Sequence, residues 1–376
     1  MRGNTTNNSK FMLLAFQLAE RGRGKTSPNP MVGAVVVKNG QIIGQGWHRE
    51  FGGSHAEVYA LRQAGNKSHG ATLYVTLEPC CFWGKTPPCT DAIIRSRIKK
   101  VVAADFDPNP LVHGKGIRQL KDAGIQCEVG NFKNESMAIN AGYYKFHTRH
   151  MPWVILKIAE SLDGKIATKT GESRWITGVT SRKVSHTLRS GVDAILVGIN
   201  TIIKDNPALT ARPVRHSCAL RQPLRVILDS SLRTPSASQV LNDGNHTLIF
   251  CSAAVSERKI NQLEKKSSKL EIVKVPSNSP YYLNLKSVMQ ELCKRQIQAL
   301  LVEGGSEIYG SFIDEKLADE VFFFISPKLI GGKGMTAVGG DGFANLSNTP
   351  YVTNVRTMKT GKDIAVRGLL KYPKRS

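Results

Sequence analysis

Apolar positions recur at helical spacing over residues 9–21 and stop at Gly22-Arg23-Gly24, which predicts an amphipathic helix with a glycine-marked end. Two apolar runs follow, 31–37 and 41–47, on either side of Asn39-Gly40. An Asn-Gly link supplies the two positive-φ residues of a tight turn, so this pair of runs predicts a β-hairpin. The pattern then alternates: a helix from His55 to Ala64 ending at Gly65, a strand over 71–77, a helix over 89–97, a strand over 99–105, a helix over 115–123, a strand over 125–129, and a helical linker from about 132 to 148. Met151-Pro152 opens a second series, beginning with a strand over 153–159. A hairpin followed by alternating helices and strands predicts a three-layer α/β sandwich for the first series. In the second, the runs 194–198, 225–230, 247–251 and 299–305 lose the two-residue alternation and become nearly continuously apolar. Strands buried on both faces have this character, so a doubly covered α/β sheet is expected, with active residues at strand ends.

Length agrees with two bodies, since 376 residues exceed one ordinary core; the expected domains are 1–150 and 151–376. The first ten residues are polar, and charge interrupts the apolar stretch after them, so neither a signal peptide nor a membrane span is expected. Seven cysteines without regular spacing argue against a disulfide framework and for a reducing, cytoplasmic setting. The net charge is +23, but it is spread: 20 basic against 10 acidic residues up to position 150, and 32 against 19 beyond it. With no long basic block, this background suits a small phosphorylated ligand, and no nucleic-acid partner is expected.

Candidate chemistry concentrates between His55 and Cys89. His55-Ala56-Glu57 offers an imidazole and, two residues on, a carboxylate; Pro79-Cys80 and Cys89 offer thiolates. One nitrogen and two sulfurs suit a tetrahedral Zn²⁺, one per chain, and leave a fourth position for a water that the metal makes acidic near neutral pH. Glu57 is expected to move protons rather than to bind metal, following the H-x-E…P-C pattern of zinc deaminases. A lone His-Ala-Glu or a single cysteine carries little weight; the joint arrangement carries the assignment. Eight residues separate Cys80 from Cys89, where the commonest spacing is two. Cys81 is an adjacent alternative ligand, and Cys80, directly after Pro79, fits better. All ligands are expected at helix N-termini, where the helix dipole favours thiolate. Asn29, between two prolines, is expected to face the pocket with its amide; His48 and Lys85 are weaker candidates for ligand contact.

The second half contains no GxGxxG after a strand. Gly304-Gly305 after an apolar run would let backbone N–H groups approach a pyrophosphate at a helix N-terminus. Ser173, Arg189, Arg212, Thr201 and Asp205 stand out as polar positions in apolar surroundings, and an arginine fork matches phosphate oxygens. This half is therefore able to hold a phosphorylated ligand and a nucleotide.

The segments TSPNPMVGAVVV, SHAEV, TLEPC…GKTPPC, SLDGKIAT, SRWIT, DAILVG, DNPALTAR and VEGG together make the chain resemble the bifunctional deaminase/reductase family of bacterial riboflavin biosynthesis, over residues 9–370. The resemblance implies a cytidine-deaminase-like domain followed by an α/β domain similar to dihydrofolate reductase. The first would deaminate 2,5-diamino-6-ribosylamino-4(3H)-pyrimidinone 5′-phosphate, and the second would use NADPH to reduce the ribosyl chain to ribityl. It also implies a homodimer. By matching positions, His55, Cys80 and Cys89 would hold zinc, with Glu57 as proton shuttle. Ser173, Arg189, Leu209, Arg212 and Glu303 would contact substrate, while Ala159, Trp175, Thr201, Asp205, Gly305 and Ser230 or Ser231 would contact the cofactor. One departure is Cys81-Phe82-Trp83, where the family usually has a Ser-His pair. The change would remove a hydrogen-bonding partner and slow deamination, or let an aromatic ring stack on the pyrimidine. Lys85 replaces a commoner arginine and keeps the charge without the fork. A nucleic-acid-editing deaminase would share the zinc motif, but nothing in 151–376 supports one.

Overall fold

The structure, a computed structural model, describes residues 3–212, 221–277, 279 and 282–373. The chain divides into two compact units, Met1–His150 and Met151–Ser376.

The first unit runs α1 (Gly3–Ala19), β1 (Gly33–Lys38), β2 (Gln41–Trp47), α2 (Ala56–Ala64), β3 (Thr72–Val75), α3 (Cys89–Arg95), β4 (Lys100–Ala103), α4 (Lys115–Asp122), β5 (Gln126–Val129), α5 (Lys133–Ile139) and α6 (Ala141–Arg149). Asn39 and Gly40 both take positive φ, 52° and 75°, as the hairpin between β1 and β2 requires. The sheet order is β2-β1-β3-β4-β5, antiparallel at β2-β1-β3 and parallel from β3 to β5. Side chains alternate across it. Ala34, Val36, Leu73, Val75 and Val101 pack under Ala56, Ala60, Ile93 and Leu120 of α2, α3 and α4. Val35, Val37, Tyr74 and Val102 pack under Phe11, Met12, Ala15 and Phe16 of α1. These are the three layers that the alternation implied.

Two expectations need adjustment. The strand expected over 71–77 ends at Val75, because Leu77 and Glu78 leave the ladder to carry Pro79 and Cys80 forward. The helical linker is broken at Asn140, whose side chain accepts from Met31 N–H (2.8 Å) and donates to Met31 carbonyl (2.9 Å). Serving an extended segment in this way takes Asn140 out of helical geometry and ties the linker to the chain beside Asn29.

The second unit runs β6 (Trp153–Ser161), β7 (Lys165–Ala167), α7 (Val179–Ser190), β8 (Ala194–Gly198), α8 (Ile199–Asp205), β9 (Leu224–Leu228), α9 (Gln239–Asn242), β10 (Thr247–Ser252), α10 (Glu257–Glu264), β11 (Leu270–Val275), α11 (Leu285–Lys294), β12 (Ala299–Val302), α12 (Ser306–Asp314), β13 (Glu320–Ser326), β14 (Met335–Thr336), β15 (Tyr351–Thr360) and β16 (Asp363–Lys371). Nine strands form one sheet in the order β11-β10-β9-β8-β12-β6-β13-β16-β15. The first seven pair parallel and the last hairpin joins antiparallel. Ala194, Leu196, Val226, Leu248 and Leu300 face one core, and Ile195, Val197, Ile227, Ile249 and Leu301 face the other, so the central strands are buried on both sides. After β6 the chain skips a place, builds outward through β8, β9, β10 and β11, and returns to insert β12 between β8 and β6. Parallel α/β sheets open a ligand crevice at such a reversal, at the carboxyl ends of the strands. Among the described residues no helix is long and apolar enough to cross a membrane.

Candidate active sites

His55 caps α2 in extended geometry, and Cys89 is the first residue of α3, after Pro88. Cys80 lies in the loop after β3 and not at a helix start, which corrects the expectation for that ligand. Its sulfur nevertheless meets α3, accepting the Cys89 N–H at 3.3 Å, while its carbonyl accepts the Thr90 N–H. Glu78 holds the loop from behind, its buried carboxylate accepting the N–H groups of Asp107, Gly114 and Ile117 at 3.2, 2.9 and 3.0 Å. As a result His55 Nδ1 stands 3.1 Å from Cys89 Sγ and 3.4 Å from Cys80 Sγ, and the three ligand atoms lie within 4.8 Å of one another. Around a tetrahedral zinc, nitrogen and sulfur ligands sit about 3.5 Å apart, so this donor set fits the ion. The Cys80 thiol is pulled down to about 5, chiefly by the hydrogen bond it shares with Cys89, while Cys89 is driven upward. A bound metal ion would take the place of the proton that the two thiols share. Cys81 is outside the cluster, and burial raises its thiol.

Glu57, in the first turn of α2, is buried, and its Oε2 has no hydrogen-bond partner among the described residues. Desolvation pushes its carboxyl up to about 7, against the opposing charge of His55. A carboxyl poised there is suited to both taking and giving a proton. Its free oxygen is the kind of orphan that a ligand or water in the site satisfies.

Beside the cluster, His48 is 2 % exposed, and its ring meets His55 edge-on with centroids 5.2 Å apart. His48 Nδ1 faces the Ser54 carbonyl at 3.0 Å and must donate to it, so Nε2 accepts from Asn29 Nδ2 at 3.2 Å. Burial lowers His48 and keeps this neutral tautomer. The pair places His48, a weaker candidate for ligand contact, beside the cluster and fixes the Asn29 amide. Lys85 is exposed, its ammonium 4.0 Å from the Phe51 ring. Phe82 and Trp83 are 39 % and 73 % exposed. Sequence reasoning passed over Asp107, which is buried with Oδ1 accepting from Asn109 N–H and Tyr143 hydroxyl. Burial pushes its carboxyl up to about 7. The signal was Asp107-Pro108-Asn109-Pro110, an echo of Ser27-Pro28-Asn29-Pro30.

In the second unit a cleft of about 1810 Å³ opens at the carboxyl ends of β6, β8, β9 and β12. All eleven sequence-predicted residues of this half line it: Ala159 on β6, Ser173 and Trp175 before α7, Arg189 on α7, Thr201 and Asp205 on α8, Leu209 and Arg212 after it, Ser231 after β9, and Glu303 and Gly305 after β12. Gly305 caps α12 with φ 84° at a helix N-terminus that lines the cleft and suits a dinucleotide pyrophosphate, while a Cβ at Gly304 would meet Thr201 Oγ1 at 2.9 Å, so Gly304 lets the Thr201 side chain close on this turn. Ser173 Oγ donates to Asp205 Oδ1 at 3.3 Å. Trp175 is 61 % exposed, with the Arg182 guanidinium 4.3 Å from its ring.

Arg189 differs from expectation. Its fork is engaged by the Glu303 carboxylate, Nε to Oε1 at 2.8 Å and Nη2 to Oε2 at 2.5 Å, with Nη1 donating to the Thr210 carbonyl. Desolvation would raise Glu303, but the Arg189 charge and hydrogen bonds outweigh it and hold the carboxyl down at about 2. Arg189 is thus first a partner for Glu303, and exposed Arg212 is the freer cation. Two further cleft residues were missed. Lys157 is the one charged residue in the apolar run 153–159, a legible signal, and desolvation lowers its ammonium. His186 lies one helical turn before Arg189, with its Nδ1 buried and unpaired among the described residues.

Residues 5–105 match the cytidine and deoxycytidylate deaminase zinc-binding region, and residues 152–366 match the RibD C-terminal domain. The riboflavin biosynthesis protein RibD of Aquifex aeolicus is 44% identical over 95% of this chain and 96% of its own length; that of Bacillus amyloliquefaciens is 41% identical over 96% of each. The chain belongs to the RibD family. Solved structures of this family superpose closely. RibD of Acinetobacter baumannii gives a TM-score of 0.88 at 36% identity, covering 97% of this chain and 99% of the other. The deaminase/reductase of Thermotoga maritima gives 0.83 at 37%, with the same coverage. Like the RibD family, the chain is a bifunctional enzyme of riboflavin biosynthesis, with a cytidine-deaminase-like hydrolase in front and a dihydrofolate-reductase-like oxidoreductase behind. Zinc serves the first and NADPH the second, and the substrate is a small pyrimidine.

Proposed function

We propose that the front site deaminates 2,5-diamino-6-ribosylamino-4(3H)-pyrimidinone 5′-phosphate and that the rear cleft reduces the ribosyl chain of the product to ribityl. His55, Cys80 and Cys89 hold zinc, which when bound supplies an acidified water as the nucleophile. Glu57 carries a proton from that nucleophile to the departing amine, a role that its buried, unpaired oxygen supports. Asn29, fixed by neutral His48, presents an amide to the pyrimidine edge, and exposed Lys85 draws the 5′-phosphate. In the rear cleft Ser173, Leu209 and Arg212 hold the phosphorylated substrate, while Glu303, kept ionised by Arg189, orients its sugar hydroxyls. Ala159, Trp175, Thr201, Asp205, Ser231 and Gly305 hold NADPH, which supplies the hydride; the residues supply orientation and exclusion of water.

The observation that carries this reading is the convergence of one imidazole and two sulfurs within 4.8 Å, beside a buried carboxyl with a free oxygen. Glu57→Gln tests it. Ammonia release should fall on the order of a hundredfold or more, while NADPH oxidation with deaminated substrate persists. Loss of both activities together would end the two-site division. The free state of the six described cysteines supports a cytoplasmic enzyme. Exposed Val355, Met358 and Ile364 on the last hairpin support a homodimer, which sedimentation measures directly.

A further inference from the structure

The turn after β9 carries one assigned cofactor position, Ser231, and beside it an arginine that the reading above leaves without a role. Asp229 is fully buried, and its Oδ2 accepts both the N–H and the hydroxyl of Thr234 at 2.7 Å. Leu232 takes a left-handed φ of 53°, its side chain packed among the apolar residues of β8 and β9 and its N–H donating to the Asp229 carbonyl. A leucine rarely adopts that conformation; here the buried side chain and the carboxylate beneath the turn hold it. With Asp229 and Leu232 turned inward, Ser231 and Arg233 are exposed, and both line the cleft. Arg233 Nη2 donates to Asn200 Oδ1 at 3.1 Å, and among the described residues Arg233 forms no salt bridge. Lys259 Nζ donates to the Ser231 carbonyl at 2.8 Å and places a second cation on the same turn.

We propose that Arg233, with the Ser231 hydroxyl and the Lys259 ammonium, reads the 2′-phosphate of the cofactor and makes the reductase prefer NADPH to NADH. The inference rests on the assignment of this cleft to a nicotinamide dinucleotide. In dinucleotide-binding α/β sheets a carboxylate beside the adenosine ribose takes the ribose hydroxyls and selects NADH, whereas an arginine accepts the added phosphate. β9 also leads into a carboxylate, Asp229, but it is tied to Thr234 beneath the turn and presents no charge to the cleft. The asparagine partner orients the guanidinium without neutralising it, so its charge stays available for phosphate oxygens. Position agrees as well. The Gly304-Gly305 turn follows β12, and β9 lies two strands away through β8. Two strand spacings make about 10 Å, a span that the adenosine half of a dinucleotide covers from its pyrophosphate.

The test uses the full-length protein and calorimetric titration with 2′,5′-ADP and 5′-AMP, which differ by the one phosphate, and with NADP⁺ and NAD⁺. Arg233→Ala should weaken 2′,5′-ADP and NADP⁺ on the order of tenfold or more while leaving 5′-AMP and NAD⁺ within about twofold. Arg233→Lys should restore part of the loss. Equal weakening within each pair, or an unchanged preference for NADP⁺ in Arg233→Ala, overturns the proposal and leaves the dinucleotide assignment standing. A wild-type chain that binds neither dinucleotide removes that assignment, and this inference with it.

Discussion

Glu303 shows how one side chain is set by its neighbour. Its carboxyl is almost fully buried yet held down at about 2, because the Arg189 guanidinium closes on both oxygens. A carboxyl lowered from 4.5 in this way stabilises the fold above its unfolded value, and the contribution is lost as pH falls toward the folded one. Glu303→Gln should therefore cost on the order of 3 kcal/mol near neutral pH, since it leaves the half-buried Arg189 without its counter-charge. The deficit should shrink between about pH 4.5 and about pH 2, where the wild-type carboxyl also becomes neutral. Denaturant unfolding across that range checks it, and a pH-independent deficit would rule out the ion pair as the cause. The same pair shows what was hidden in the sequence. Arg189 was legible as a polar residue among apolar ones and Glu303 came only from the family resemblance; 114 positions separate them, and no local pattern says that one occupies the other's fork.

At the scale of elements, α2 reaches its place because β2 is bare beneath it. A Cβ on Gly46 would stand 2.3 Å from the Ala56 carbonyl oxygen, and one on Gly44 would stand 2.1 Å from that of Ala60. The helix therefore lies against the strand's backbone, carrying His55 at its cap and Glu57 in its first turn. Gly46→Ala should push the start of α2 off the sheet, with a loss of about 1–3 kcal/mol. Elemental analysis should show reduced zinc per chain, while dinucleotide binding in the other unit stays unchanged. Full zinc occupancy in this variant would mean that the ligand triad does not depend on that contact. Most elements were readable from pattern because burial on one or both faces writes itself as period 3.6, period 2 or a continuous run. The exceptions have tertiary causes. The end of β3 stays apolar through Leu77 but leaves the ladder to deliver Cys80, and α5 and α6 part where Asn140 binds Met31.

Across the whole molecule, each unit owns a core and a site: the metal ligands lie within Met1–His150 and the cleft residues within Met151–Ser376. Chelation should accordingly abolish ammonia release and leave reduction of supplied deaminated substrate intact. It should also lower one of two thermal transitions by calorimetry and leave the other in place, because a ligand stabilises only the cooperative unit that binds it. NADP⁺ should raise the transition that chelation leaves alone. A single transition that both treatments move would mean the units unfold together.

The sequence by itself determined His55, Glu57, Cys89 and a second sulfur at Cys80 or Cys81, the alternation that builds two sheets, and the polar positions Ser173, Arg189, Thr201, Asp205 and Arg212 with the Gly304-Gly305 pair of the second half; the other cleft positions came from the family resemblance. Residue chemistry and periodicity are local properties, written wherever a side chain must be buried or bind. Only the tertiary structure decided which of Cys80 and Cys81 joins the cluster, the tautomer of His48, the engagement of Arg189 by Glu303, and the inward turn of Asp229 that leaves Arg233 facing the cleft. Each of these depends on distances between segments far apart in the chain, set by how the layers pack.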